Sequence, residues 1–274
     1  MGERPGDRRF PGRPQPAGIE IEAHAGYQPG DDLRHLDWSA LGRLDVLLVR
    51  RYTAEREILF HLLVDTSASM GCPAGDRKLA AAAELAVALA YVALSSNDAV
   101  RVALLGETPR LSRIHRQRAS IGEIAELVAG AVASGAVVLG PAVEGYVRRH
   151  PRPGVAIVVS DLMVEPADVE CAVHVLRARR FEVLLLHVLG PHDLEPALDP
   201  ARNVLRDVES GAIRAVAATP ATRARYREAL GEHLGALETI AARTASAYAR
   251  LVTTQPVYDF VTTDLARLGI VTRR

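Results

Sequence analysis

The sequence has few aromatic residues, few cysteines and no net charge, and each shortage argues against a class of function. Aromatic residues make up 4% of the 274 residues, which disfavours a stacking platform for single-stranded nucleic acid. Lys and Arg number 33, as do Asp and Glu, so we expect no nucleic-acid partner. Two cysteines, Cys72 and Cys171, are too few for a disulfide framework or a Cys-rich zinc site.

Long apolar segments that would cross a membrane or direct secretion are also lacking. The longest helix-like apolar stretch, Leu79 to Leu94, is interrupted by Glu84 and is short for a membrane span, which needs roughly 20 residues. The first residues are rich in Arg, Pro and Gly, without the apolar segment of a secretory signal. We therefore predict a cytoplasmic protein with no membrane span, in which residues 1–17 form a flexible basic tail.

Apolar runs that read as buried strands alternate with helix-like segments through much of the chain. The runs lie at 58–64, 99–105, 155–159 and 182–189, and hydrophobic residues make up 49% of the sequence. This alternation predicts an α/β fold with a doubly wound, mostly parallel sheet flanked by helices. We assign residues 58–274 to this domain. Residues 18–57 we expect to form N-terminal strands and a short block that pack on it.

Oxygen-bearing side chains follow two of the predicted strands. Asp65 ends the run 58–64, Ser67 and Ser69 come two and four residues later, and Asp161 follows the run 155–159. If those strands are neighbours in one parallel sheet, both carboxylates meet at its carboxyl edge, where ligands of open α/β sheets bind. Hard cations prefer oxygen ligands. The pattern predicts a metal site made by these four residues, with Mg²⁺ or Mn²⁺ as the ion.

Capping of helices is an alternative use for several of these polar residues. The alternative role for Asp65 and the following serines is to cap the N-terminus of the helix that comes next, since acids and hydroxyls favour that position. Asp31 or Asp32 is a candidate N-cap for a short helical turn that ends at Trp38. Ser120, with an acid three residues later, matches the capping-box pattern at the start of a predicted helix.

Taken together, the motifs resemble those of a known family. Tyr27 to Trp38 reads Y-x-P-G-D-D-x-R-x-x-D-W, and it is followed by the segment 49–52, Glu55 and the block Asp65 to Met70. This combination resembles a bacterial family of domains of unknown function, number fifty-eight. The block at Asp65 is similar to the metal-ion-dependent adhesion site of von Willebrand factor A domains. The resemblance implies a von Willebrand factor A-like fold and association with MoxR-type AAA+ ATPases in chaperone-like maturation of a protein complex.

Carried over residue by residue, the resemblance matches Asp65, Ser67 and Ser69 to the first metal loop and Asp161 to the third. The second loop should supply a threonine. This chain has Val137 at that position, which offers no ligand oxygen.

The sequence lacks the residues and motifs that common enzymes with a strand-end aspartate would need around Asp65. A phosphoryl-transfer hydrolase with a strand-end aspartate needs a second acid two residues later, where this chain has Ser67. The P-loop and G-x-S-x-G patterns do not occur. We therefore predict a non-enzymatic interaction module that works with a MoxR-type AAA+ ATPase on an unknown client protein. The alternative is a metal-free scaffold that binds its partner through the block Asp31 to Trp38.

Overall fold

The computed structural model describes residues 21–28, 36–52, 57–196 and 204–270. The chain divides into two compact units, with the boundary between Glu57 and Ile58. Each unit is described by itself below. The predicted tail at 1–17 lies outside the described residues, and the predicted packing of residues 18–57 on the larger unit stays a prediction.

The smaller unit is built on a pair of antiparallel strands and one short helix. Strand β1 (Ile21–Gly26) pairs with β2 (Leu48–Tyr52), and helix α1 spans Trp38–Leu44. Asp37 is the N-cap of α1, because its side chain accepts hydrogen bonds from the backbone N–H groups of the second and third residues that follow it. The predicted caps, Asp31 and Asp32, lie outside the described residues.

The larger unit is organised around a six-stranded sheet. Its order is β10-β7-β6-β3-β4-β5, in which every neighbouring pair is parallel except β4 and β5. This arrangement confirms the predicted α/β fold class. The strands are β3 (Leu59–Asp65), β4 (Ala99–Leu105), β5 (Arg110–Leu111), β6 (Val155–Ser160), β7 (Glu182–Leu189) and β10 (Ala247–Val252).

Helices connect these strands and supply the rest of the core. A separate hairpin, β8 (Val204–Arg206) with β9 (Ile213–Ala215), precedes the longest helix. A C-terminal helical segment contains a π-helical turn, Phe260–Asp264, between two short α-helical turns. The helices are α2 (Lys78–Ser95), α3 (Ile121–Ala129), α4 (Leu139–Arg149), α5 (Pro166–Ala178), α6 (Pro191–Leu194), α7 (Pro220–Arg243), α8 (Val257–Asp259) and α9 (Leu265–Arg267).

The segment Ala74–Ser95, which ends with helix α2, is long and apolar enough to cross a membrane by length and composition alone. Half of that segment is buried, and the alanine and leucine side chains of α2 pack on β3 and β4. The core helix of a water-soluble protein has the same properties, so its composition is explained by packing on the sheet.

The start of α3 differs from the prediction. Ser120 is its N-cap by position but makes no capping hydrogen bond with its side chain. Glu123 pairs instead with Arg113, whose guanidinium donates two hydrogen bonds of 3.0 and 2.7 Å to the carboxylate. This two-point ion pair occupies the Glu123 carboxylate, which in a capping box would instead bind the backbone N–H of Ser120. The predicted capping box at Ser120 is therefore wrong.

Candidate functional site

The sheet brings the two strand-end acids to the same edge, as predicted. Strands β3 and β6 are parallel neighbours, with Val64 opposite Val159. Asp65 therefore lies beside Ser160, whose hydroxyl donates a 2.6 Å hydrogen bond to Oδ2 of Asp65. Asp161 follows directly, and both carboxylates are buried.

The loop after β3 places two serine hydroxyls together. The backbone N–H of Ser67 donates to Oδ1 of Asp65 at 2.8 Å, and the hydroxyl oxygens of Ser67 and Ser69 are 3.0 Å apart. The loop continues into a short 3-10 helix, to which Ser67 gives no side-chain cap. Helix α2 begins later, at Lys78. These serines therefore do not cap α2.

The second loop lies against the first through its backbone. The N–H of Ala68 donates to the carbonyl of Gly135 at 2.8 Å, and the N–H of Ser134 donates to the carbonyl of Thr66 at 2.9 Å. Gly135 has a φ of 66°, a conformation that glycine adopts without strain. Val137 in this loop is buried among core side chains. The position where the family resemblance places a threonine is thus filled by an apolar side chain.

A buried lysine lies beside Asp161, and it was not part of the predicted site. The ammonium nitrogen of Lys78 is 2.9 Å from Oδ2 of Asp161 and 3.1 Å from Oδ2 of Asp193, and the lysine side chain is 2% exposed. Asp193 comes from α6, the short helix after β7, and its carboxylate also accepts a 2.8 Å hydrogen bond from the N–H of Gly190. Lys78 therefore links three segments of the edge.

The pKa values of these groups follow from burial and from the neighbouring charges. Burial raises the pKa of Asp65 to about 6, and the charge of Asp161 adds to the shift. Burial alone would lower the pKa of Lys78, but the carboxylates of Asp161 and Asp193 outweigh it and raise that pKa. Lys78 is accordingly an ammonium at neutral pH. The carboxyl edge of the sheet therefore carries a buried positive charge, the ammonium of Lys78.

The four predicted metal ligands do not form a donor set that fits an octahedral divalent cation. Oδ2 of Asp161 faces the Lys78 ammonium, and Val137 offers no oxygen. Within the described ranges, the buried side-chain atoms without a hydrogen-bond partner belong to His61, Arg101, His115 and His187, not to any predicted ligand. Asp65, Ser67 and Ser69 lie together in one loop, whereas the carboxylate of Asp161 is paired with Lys78.

Several side chains fix the loops around this cluster. The buried Asp76 accepts a hydrogen bond from the backbone N–H of His192 at 3.0 Å and pairs with its ring nitrogen. The Tyr226 hydroxyl donates to the carbonyl of Asp193 at 2.7 Å, and the ring of His233 bonds the carbonyl of Leu162. Helix α7 therefore braces two of the three loops that carry acids.

Exposed apolar side chains of the larger unit include two groups besides those of the β8–β9 hairpin. One consists of Val132, Val138 and Met163, which stand on the second and third loops of the carboxyl edge; we call these the edge apolar residues. The other is a groove of about 620 Å³ along the outer side of α2, lined by Tyr91, Tyr258 and neighbouring apolar residues. Its lining includes none of the acids of the carboxyl edge.

Comparison with known proteins identifies relatives. An uncharacterized protein of Mycobacterium tuberculosis (strain ATCC 25618 / H37Rv) is 32% identical over 217 residues, which is 76% of this chain and 66% of the relative. An uncharacterized protein of Mycobacterium bovis matches with the same values. The chain thus spans about two thirds of the length of the curated relatives it matches.

Similar solved structures include the conserved hypothetical protein BatB from Bacteroides thetaiotaomicron, at 17% identity and a TM-score of 0.49, covering 77% of this chain and 98% of that one. The SpRpn10 VWA domain is similar at 10% identity and a TM-score of 0.45, covering 80% of this chain and 100% of that one. A sequence family matches residues 24–235, which include the Tyr27–Trp38 block and the acid-bearing loops up to Asp193. The chain belongs to this family, which is described as "Protein of unknown function DUF58".

Proposed function

We propose that this protein is a non-enzymatic interaction module that docks a partner protein through the carboxyl edge of its sheet. The observation that carries the proposal is the exposure of apolar side chains on the loops of that edge. Val138 is 60% exposed although its neighbour Val137 is buried, and Met163 is exposed two residues after the buried Asp161. Exposed apolar side chains beside a rigid polar cluster suit a protein interface, where apolar contacts give affinity and polar groups fix orientation.

The partner we propose is a MoxR-type AAA+ ATPase, with which the module would act in chaperone-like maturation of a client complex. Support for this partner comes from membership of the family and from the association that the sequence resemblance implies. An ATPase encoded beside this chain would add to that support.

The arrangement of Asp65 favours a binding role over phosphoryl transfer. Both carboxylate oxygens accept hydrogen bonds within the protein, and the side chain is buried. The residue two positions later is Ser67, which cannot act as the general acid that such hydrolases use. The residues at this edge therefore hold one another and lack the proton donor that hydrolysis requires.

The docking proposal is tested by charging the edge apolar residues. Met163→Asp and Val138→Asp should each weaken binding to a purified MoxR-type ATPase by about tenfold or more, since each places a charge in an apolar contact. Ile213→Asp is the matched control, because Ile213 is 68% exposed on the β8–β9 hairpin, away from the edge in sequence. Binding is measured by calorimetry or interferometry. Equal binding by all three variants and the unchanged protein would reject the carboxyl edge as the docking surface.

A second candidate surface is the block Asp31 to Trp38, as a metal-free scaffold. Most of that block lies outside the described residues, but Trp38 is 67% exposed at the start of α1. Exposed tryptophan is frequent among residues that dominate binding energy. If Trp38→Ala abolishes binding while Met163→Asp leaves it intact, the block is the docking surface and the edge is not.

A further inference from the structure

The carboxyl edge gathers more negative charge than a protein interior usually tolerates. Asp65, Asp76 and Asp161 are buried, and the side chain of Asp193 is 14% exposed. A buried carboxylate is costly unless a positive charge or several hydrogen bonds compensate it. Among the described residues that are buried, the one with a lysine or arginine side chain is Lys78.

We propose that the ammonium of Lys78 takes the place of a divalent cation at this edge, so that the site is complete without metal. Two of its contacts are carboxylate oxygens, Oδ2 of Asp161 at 2.9 Å and Oδ2 of Asp193 at 3.1 Å. Asp161 is one of the four predicted metal ligands, and its charge is neutralised by a side chain of the same protein.

The chemistry of lysine suits this role. An ammonium is a compact charge with three donors, and two of them point at carboxylates from different loops. It also repels a second cation, since like charges a few ångströms apart in a buried environment interact strongly. A divalent ion among Asp65, Ser67 and Ser69 would therefore have to compete with the ammonium for Asp161 as a ligand.

The position of Lys78 also makes the edge a fixed structure. Its backbone begins α2, whereas its two partners follow β6 and β7. The ion pairs tie these segments together whether or not an ion is present in solution. The absence of an oxygen at Val137 is consistent with this arrangement, because a site without metal needs no threonine ligand.

The first test uses the unchanged protein and Mn²⁺ as the probe. Calorimetric titration with Mn²⁺ should show no binding at one ion per chain. The melting temperature should be the same in millimolar Mn²⁺, Mg²⁺ or chelator. Stoichiometric binding of Mn²⁺ that Asp65→Asn removes would overturn the proposal, and this outcome requires no variant of Lys78.

The second test removes the ammonium together with one of its partners. The double variant Lys78→Met/Asp193→Asn leaves Asp161 without its counter-ion and so should gain a site for Mn²⁺. Saturating Mn²⁺ should then raise its melting temperature by about 2–4 °C, whereas the unchanged protein shows no rise. Asp193→Asn alone is the matched control, because Lys78 still neutralises Asp161, and it should gain no site.

If the double variant folds and binds no Mn²⁺, Lys78 is not what replaces the cation, and the proposal fails. If the double variant does not fold, Lys78→Gln/Asp193→Asn, which keeps a polar side chain at position 78, takes its place with the same two outcomes. Both titrations use the protein alone, so their results are independent of whether the docking proposal holds. Where both proposals hold, docking at the edge will be insensitive to chelator.

Discussion

The ammonium nitrogen of Lys78 lies 2.9 Å from Oδ2 of Asp161, and both side chains are almost wholly buried. The two residues are 83 positions apart in the chain. Their contact joins the start of α2 to the end of β6 at the edge where the functional residues converge. Breaking a buried ion pair by removing one partner is costly, because the other charge is left without compensation.

Removal of the Lys78 ammonium should therefore destabilise the fold. We expect Lys78→Met to lower the free energy of unfolding by about 3–5 kcal/mol at neutral pH. Arg77→Met is the control, since Arg77 is the adjacent cation, is 72% exposed and reaches Glu84 only at 4.0 Å. That change should cost less than about 0.5 kcal/mol. Urea denaturation measures both, and equal losses in the two variants would contradict the importance of the buried pair.

Glycine at position 190 is required by the approach of Asp76. A Cβ placed on Gly190 would lie 1.9 Å from Oδ2 of Asp76, in the loop that also carries Asp193. We expect Gly190→Ala to destabilise the protein by about 2 kcal/mol or more, since the loop or the carboxylate must move. Thermal unfolding monitored by circular dichroism measures the change.

Gly231 provides the matched comparison for Gly190. It lies inside helix α7, and a Cβ there would meet no atom within 4 Å. Gly231→Ala should stabilise the protein by about 0.5–1 kcal/mol, because alanine is the better helix former. A Gly190→Ala variant as stable as the Gly231→Ala variant would show that the loop after β7 is not tightly packed on Asp76.

His61 should make stability fall in mild acid. Its ring is fully buried in β3, and Nδ1 bonds the hydroxyl of Tyr146. Burial, and then the charge of Arg101, lower its pKa from 6.5 to about 4. In mild acid the unfolded chain therefore binds a proton at His61 that the folded protein does not bind. The contribution of His61 to stability is full above pH 6.5 and is lost as the pH falls towards 4.

At pH 5 this residue alone should cost about 2 kcal/mol relative to pH 7.5. His61→Phe removes the titrating group, and it should reduce the difference in unfolding free energy between those two pH values by about that amount. Urea denaturation of both proteins at each pH measures the difference. An unchanged pH dependence in the variant would show that His61 does not titrate on unfolding as proposed.

Supplying the threonine of the adhesion-type motif should not by itself create a metal site. Val137→Thr buries a hydroxyl at a core position and should cost about 1–2 kcal/mol, with no gain of Mn²⁺ binding while Lys78 is present. In the double variant Lys78→Met/Asp193→Asn, the same change should tighten Mn²⁺ binding by about tenfold, since it adds a ligand oxygen. Calorimetry compares the affinities. Binding by the single variant Val137→Thr would contradict the role given to Lys78.

Local sequence pattern is enough to predict the sheet and the positions of Asp65 and Asp161 at the ends of its strands. Strands β3 and β6 are long apolar runs, and each is followed by an acid, so local pattern places Asp65 and Asp161 at strand ends. That the two strands are neighbours could only be assumed from the sequence, and the pairing of β3 with β6 in the structure supplies that adjacency. The loop after β3 brings the hydroxyls of Ser67 and Ser69 together, whereas their predicted use as metal ligands stays a prediction.

Lys78 and Asp193 could not be predicted from local pattern because their partners are distant in the chain. Lys78 stands at the start of an alanine-rich helix, where a lysine is ordinarily solvated, and Asp193 is 115 residues further on. The one clue is that this lysine opens a helix in which Glu84 is the single other charged side chain. The predicted capping box at Ser120 was wrong for a similar reason. Arg113, ten residues before Glu123, binds the Glu123 carboxylate that the capping-box pattern requires.

The most direct test of the account is a crystal structure of the unchanged protein grown in millimolar Mn²⁺, with data collected at the manganese absorption edge. We predict no anomalous peak between Asp65, Ser67 and Ser69, and we expect Nζ of Lys78 within hydrogen-bond distance of Asp161. An anomalous peak bound by Asp65 and Asp161, with the Lys78 side chain turned away from both, would contradict it.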